Sequence, residues 1–174
     1  MRLILLLAAL SLACATSVRA EPSEYDDLVA RFGSSGENIS IDKLTHAHWI
    51  IDFPERCVLR RRTTTFVSLD GELGLVDNTI EAADIGAFTD QSFFYGEGAS
   101  RQQIIAKCFA GSTCVSGLKA ETGRESNRLI GSPTVRITTE NYMVLKIGSG
   151  AYKHQLGLLK QIAAICRNDL ETRK

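Results

Sequence analysis

The chain reads as an α+β domain: a mostly antiparallel sheet, or open β-roll, closed by a C-terminal amphipathic helix. Three observations predict this. Helical periodicity is confined to the ends, while the middle is rich in Thr, Val and Ile broken by turn dipeptides such as Asp70-Gly71. Tyr152, Leu156, Leu159, Ala163 and Cys166 recur at helical spacing, with Lys153, Lys160, Gln161 and Arg167 opposite them. Four cysteines remain once an export signal is set aside, which suits a small stapled domain. A β-sandwich with a peripheral helix is the alternative arrangement.

Residues 1–20 have the form of that signal. Met1-Arg2 is followed by an apolar run from Leu3 to Ala15, and Val18-Arg19-Ala20 is a small-x-small cleavage pattern before Glu21-Pro22. The run is short for a membrane span, so the expectation is a cleaved signal and an exported protein, periplasmic or extracellular. No second long apolar run implies a transmembrane span in the mature chain. Cys14 offers a competing lipid-anchor site, with Ala13 before it but Ser11 where lipoprotein processing prefers Leu. Arg2 and Arg19 leave with the signal, so the 20 basic residues fall to 18 against 20 acids and the net charge becomes −2. Such a balance argues against nucleic acid as a partner.

Residues 21–36 are expected to form a short helix and a flexible joint, and 37–174 a single disulfide-stapled domain. Pro22 suits a first helical turn, acids follow it, and Leu28, Val29 and Phe32 make a small apolar face before Gly33-Ser34-Ser35-Gly36. An extended segment from Ile39 to Phe53 ends at Pro54. Cys57–Leu69 and the return from Leu73 to Ile85 flank the Asp70-Gly71 turn. Phe88–Ser100 reads as a loop carrying Phe93, Phe94 and Tyr95. Gln102–Cys108 with Thr113–Leu118 reads as one hairpin, and Thr134–Thr138 with Tyr142–Ile147 as a second. Between these hairpins, Lys119–Pro133 reads as a long exposed loop. Gly148-Ser149-Gly150 then breaks the chain, and Ser149 can cap the last helix. In order and length only, meandering strands followed by an amphipathic helix look like a pleckstrin-homology-type roll, and fold order carries no function by itself.

An even cysteine count in an exported chain implies two disulfides. Cys108 and Cys114 have five residues between them, which favours a local closure and leaves Cys57 to pair with Cys166. Metal binding through these cysteines would need close pairs such as C-x-x-C, which are absent.

Hydrolase signatures are missing: no G-x-S-x-G elbow, no H-E-x-x-H helix, no phosphate loop. His46 and His48 lie two apart, so on a strand both imidazoles face one side and could bind a metal with His154, Asp42 or Asp52. Arg60 and Arg62 likewise share a strand face and could clamp a carboxylate, phosphate or sulfated sugar, or simply meet the chain's own acids. Phe94 and Tyr95, beside Gly96 and Gly98, suit a recognition lip. The leading expectation is a non-catalytic binding or interaction module without cofactor, with Arg60, Arg62, Phe94 and Tyr95 as ligand residues. Its partner would be an unknown protein or a small anionic ligand. A small envelope metalloprotein or hydrolase using His46 and His48, and a secreted enzyme inhibitor, are the alternatives.

Overall fold

The computed structural model describes residues 23–39, 45–69, 72–95, 103–109, 112–125, 128–147 and 152–172. Of these, 34–39, 69, 72, 73, 90, 94, 95, 124, 125 and 128 are described through their backbone alone. The expected export signal, Cys14, the expected Asp70-Gly71 turn and the expected Ser149 cap lie outside the described residues.

The element order is α1 (Glu24–Phe32), β1 (Ser34–Ile39), β2 (Thr45–Glu55), β3 (Val58–Leu69), β4 (Glu72–Asp84), β5 (Phe93–Tyr95), β6 (Gln103–Lys107), β7 (Val115–Glu125), β8 (Arg128–Glu140), β9 (Tyr142–Lys146) and α2 (Tyr152–Thr172). Strands β1-β2-β3-β4-β7-β8 form one antiparallel sheet, and β5-β6-β9 form a second, smaller one. The α+β class with its C-terminal helix is therefore as the sequence predicts. The sheets stay open, and no barrel closes among the described residues.

Helix α1 is capped by Ser23 rather than entered at Pro22. The Ser23 hydroxyl accepts from the Asp26 N–H, and the Asp26 carboxylate accepts from the Ser23 N–H, a reciprocal capping box. It buries Tyr25, Leu28 and Phe32, and the Tyr25 and Phe32 rings meet Phe53 edge-on at centroid distances of 6.4 and 5.6 Å. Residues 34–36 are not a joint. They open β1 and pair with Ile51, Ile50 and Trp49, because small residues at a sheet edge accept an extended backbone as readily as a turn. Nor does Pro54 end the second strand. A register shift between Asp52 and Glu55 absorbs it.

Both sequence hairpins are corrected in their partners. β6 and β7 lie in different sheets, as do β8 and β9. The true pairs are β7 with β8, which turns the described residues of the supposed loop Lys119–Pro133 into strand, and β6 with β9. The β7–β8 hairpin is thus an excursion out of the small sheet. Its base is closed by Cys108 N–H donating to Asn141 O (2.8 Å), by Cys114 N–H donating to Glu140 O (3.2 Å), and by the Cys108–Cys114 disulfide. The aromatic loop is also partly strand: β5 pairs Phe93, Phe94 and Tyr95 with Ala106, Ile105 and Ile104.

The core lies where α2, α1, the Ile85–Ala87 turn and the small sheet cover one end of the large sheet. Leu158, Leu159, Ile162, Ala163 and Cys166 of α2 are buried against Ile85, Phe88, Ile104, Met143 and Leu145, among others. Cys166 faces inward as its spacing predicts and bonds Cys57, with a Cα–Cα distance of 5.6 Å. Cys57 sits in the two-residue β2–β3 turn at φ 66°, left-handed backbone that a side chain enters at a cost of roughly 1–3 kcal/mol. Its surroundings hold it there. Its N–H donates to Tyr25 Oη (2.8 Å), its carbonyl accepts from Ile85 N–H (2.9 Å), and its sulfur is bonded to α2.

Candidate functional site

Successive rows across the inner face of the large sheet change character along the strands. At the covered end, Leu59, Ala83 and Val115 form an apolar row. The next row runs Ile51, Arg61, Glu81, Gly117, Thr138, and the one beyond it Trp49, Thr63, Thr79, Lys119, Arg136. Thr65, Asp77, Glu121 and Thr134 follow. Strands of 11–13 residues outrun the small sheet and helices that cover them. The alternation that carries apolar residues into the core therefore carries charged and hydroxyl residues onto the open half of the same face.

The uncovered half holds a cleft of about 370 Å³ lined by Arg61, Thr63, Thr65, Asp77, Thr79 and Glu81 of β3 and β4, Lys119 of β7, Arg136, Thr138 and Glu140 of β8, and Lys146 of β9. At its inner end the Arg61 guanidinium lies 2.7 Å from the Glu81 carboxylate, with side-chain exposures of only 18% and 11%. Arg61 also donates to Val144 O at 2.7 Å, tying β3 to β9 across the two sheets. Gly117 leaves room for this pair. A Cβ there would stand 2.5 Å from Ile80 O, 3.0 Å from Thr138 Oγ1 and 3.1 Å from Glu81 Cγ.

Further out, Lys119 bridges Asp77 (3.2 Å) and Glu121 (2.5 Å), and Arg136 joins Glu121 at 3.0 Å. The hydrogen bond to Glu121 raises the Lys119 ammonium above its ordinary pKa against partial burial. The same bond, with the fields of Lys119 and Arg136, lowers the Glu121 carboxyl. Thr79 donates to Asp77 at 2.6 Å. The Lys146 ammonium sits 5.5 Å above the Trp49 ring, and the buried indole N–H finds no acceptor among the described residues.

Arg60 and Arg62 project from the opposite, outer face. Arg60 makes a bidentate contact with Asp52, its partner across the ladder, at 2.8 and 2.7 Å, and Arg62 reaches the same carboxylate at 3.0 Å. The Arg60 hydrogen bonds, then the charges of Arg60 and Arg62, hold the Asp52 carboxyl below its ordinary range despite partial burial. The two guanidiniums thus do clamp a carboxylate, and it belongs to the chain itself. Phe94 and Tyr95 are on β5 in the other sheet, so the expected ligand residues are not on one surface. Phe93 is core, 5.5 Å from the Phe88 ring.

His46 and His48 share the outer face of β2, with His48 edge-on to Phe66 at 6.3 Å. Asp52 is held by the arginines, His154 lies on α2, and Asp42 lies outside the described residues. Among the described residues no group of three or more His, Cys, Asp or Glu side chains is placed to hold a metal ion. No described helix is long and apolar enough to cross a membrane.

The cleft residues escape sequence reading because their cations come from β3, β7, β8 and β9, separated by as much as 85 positions between Arg61 and Lys146. One signal was available: Arg61, Thr63, Thr65 and Asp77, Thr79, Glu81 are polar at the positions that alternation assigns to the core side. No family model matches the chain, and no curated protein or solved structure shows significant similarity to it.

Proposed function

We propose that the protein is an exported, non-catalytic binding module that takes a small hydroxylated carboxylate, of the sugar-acid type, into the inner-face cleft. The carrying observation is the cleft's composition. Four cations face three acids, four threonine hydroxyls line the strands between them, and a buried Arg61–Glu81 pair closes the inner end. A buried ion pair contributes little net stability compared with apolar packing of the same volume, so its presence beside a cavity favours a recognition role. The volume falls within the range of small-molecule sites. In this reading Arg136 and Lys146 meet the carboxylate, the threonines meet hydroxyls, and Arg60 and Arg62 serve the sheet through Asp52.

Calorimetric titration with D-galacturonate tests this, with D-galactose and acetate as controls. Saturable binding that neither control reproduces is expected, weakened at least about tenfold by Arg136→Gln, the equivalent of about 1.4 kcal/mol for one charge-assisted contact. Absence of binding to galacturonate, or equal binding of acetate, would overturn the reading.

One observation favours the inhibitor alternative as a second reading. Phe109 is 68% exposed within the Cys108–Cys114 loop, where its carbonyl accepts from the Ser112 N–H and hydroxyl. A disulfide-closed loop presenting a phenyl ring suits insertion into an apolar pocket of a partner protein.

A further inference from the structure

The outer strand β8 is an unfinished edge. Among the described residues its sole neighbour is β7, and both faces of residues 130–137 are exposed. On the outer face, Ile50, Arg62, Ile80, Leu118 and Ile137 form one row across five strands. Exposure along that row peaks at the free edge, where Ile137 is 80% exposed and its neighbour Val135 is 66% exposed. Natural edges are blunted by proline, bulges or charge. Here the proline and the left-handed glycine are confined to the first half of β8, at Pro133 and Gly131 (φ 73°). Residues 134–140, Thr-Val-Arg-Ile-Thr-Thr-Glu, carry β-formers and only two charges, Arg136 and Glu140, which are of opposite sign.

We infer that residues 136–140 of β8 pair antiparallel with the same segment of a second copy, about a two-fold axis at Thr138. The charges select this register. With Thr138 opposite Thr138, each Arg136 stands opposite Glu140 of the other copy, twice over, on the inner face. A slip of two residues sets Arg136 or Glu140 opposite Thr138 and forfeits both pairs, and a slip of four sets Arg136 against Arg136 or Glu140 against Glu140; like charges directly opposite are destabilising. The same register keeps the outer faces together, with Ile137 against Thr139 and diagonal to its counterpart. An isologous contact of this kind closes on itself and stops at a dimer.

The second copy also completes the cleft. Arg136, Thr138 and Glu140 form its β8 wall. In the dimer the same three side chains of the second copy continue that wall, so the two clefts share it as one polar trough. This last point rests on the ligand reading; the dimer does not.

Sedimentation velocity over a concentration series of the processed chain is the test. A reversible dimer is expected, with Arg136→Glu and Glu140→Arg each weakening it by roughly tenfold or more, since each sets like charges opposite twice. The double variant R136E/E140R restores the complementary pairs and should recover the dimer. Unchanged near-ultraviolet circular dichroism controls for folding, since Arg136 is largely exposed. A chain that stays monomeric, a dimer indifferent to both single changes, or a charge swap that fails to restore association would each overturn the inference. Calorimetry with galacturonate on the unaltered chain keeps the ligand reading separate, because binding to a monomer remains measurable if the dimer fails.

Discussion

Removing the two disulfides one at a time should cost unequally, and the inequality can be worked from the chain. Cys57 and Cys166 close a separation of 109 residues, and Cys108 and Cys114 one of 6. The chain-entropy relation gives about 4.8 kcal/mol for the long closure and about 2.2 kcal/mol for the short one. Alanine is the right replacement because Cys166 is fully buried and a serine hydroxyl there would lack a partner. At a denaturant slope of about 2 kcal/mol/M in urea, Cys57→Ala with Cys166→Ala lowers the unfolding midpoint by about 2.4 M. The Cys108 and Cys114 pair of changes lowers it by about 1.1 M on the same slope. Fluorescence of Trp49, the one tryptophan of the chain and a buried one, follows both transitions. Equal midpoint shifts, or a larger shift for the short loop, would refute the view that the long staple constrains the unfolded chain most.

Two other outcomes follow from the ion pairs. Arg61→Ala strands the Glu81 carboxylate in a site only 11% exposed and removes the tie to Val144, so a loss of about 3–5 kcal/mol is expected in urea unfolding. The double change Arg61→Met with Glu81→Leu should recover most of that loss, and no recovery would argue against an uncompensated charge as its cause. Asp52 bears on pH. Its folded carboxyl titrates below the ordinary 3.8, so its stabilisation is fully present above that value and is lost as pH falls through the lower folded value. Stability measured between pH 5 and 2 should therefore fall less steeply for Asp52→Asn than for the unaltered chain; parallel slopes would contradict this.

The elements were legible wherever one face of a segment is buried and the other wet. Helix α2 shows this best, since Leu159, Ala163 and Cys166 must share a stripe for the helix to seat, and Cys166 then has to face inward. Pairing was less legible. Neighbouring strands usually pair, and Gln103–Lys107 followed by Val115 looks like any short hairpin, but alternation says only which face is inside. It does not name the partner strand. The residues from Lys119 to Pro133 read as loop because their polar side chains lack a core to face: β7 and β8 run past the covered end of the sheet. The cleft was hidden for the same reason, since a strand polar on both faces has the composition of a loop. The arginines were read correctly as sharing a face, and their carboxylate proved to be Asp52, across the ladder on the preceding strand.

The sewn base of the β7–β8 hairpin separates two kinds of tolerance to change. Chain leaves the small sheet after Cys108 and rejoins it at Asn141, and the disulfide with two flanking hydrogen bonds fixes that exit and return. Insertions or deletions near the hairpin tip, around residues 125–128, therefore leave the spacing between β6 and β9 untouched. Changes of length at that tip therefore leave the packing of the helix-covered end, Val115 of β7 included, as it is. The staple thus uncouples the length of the hairpin from the geometry of the small sheet that it leaves and rejoins.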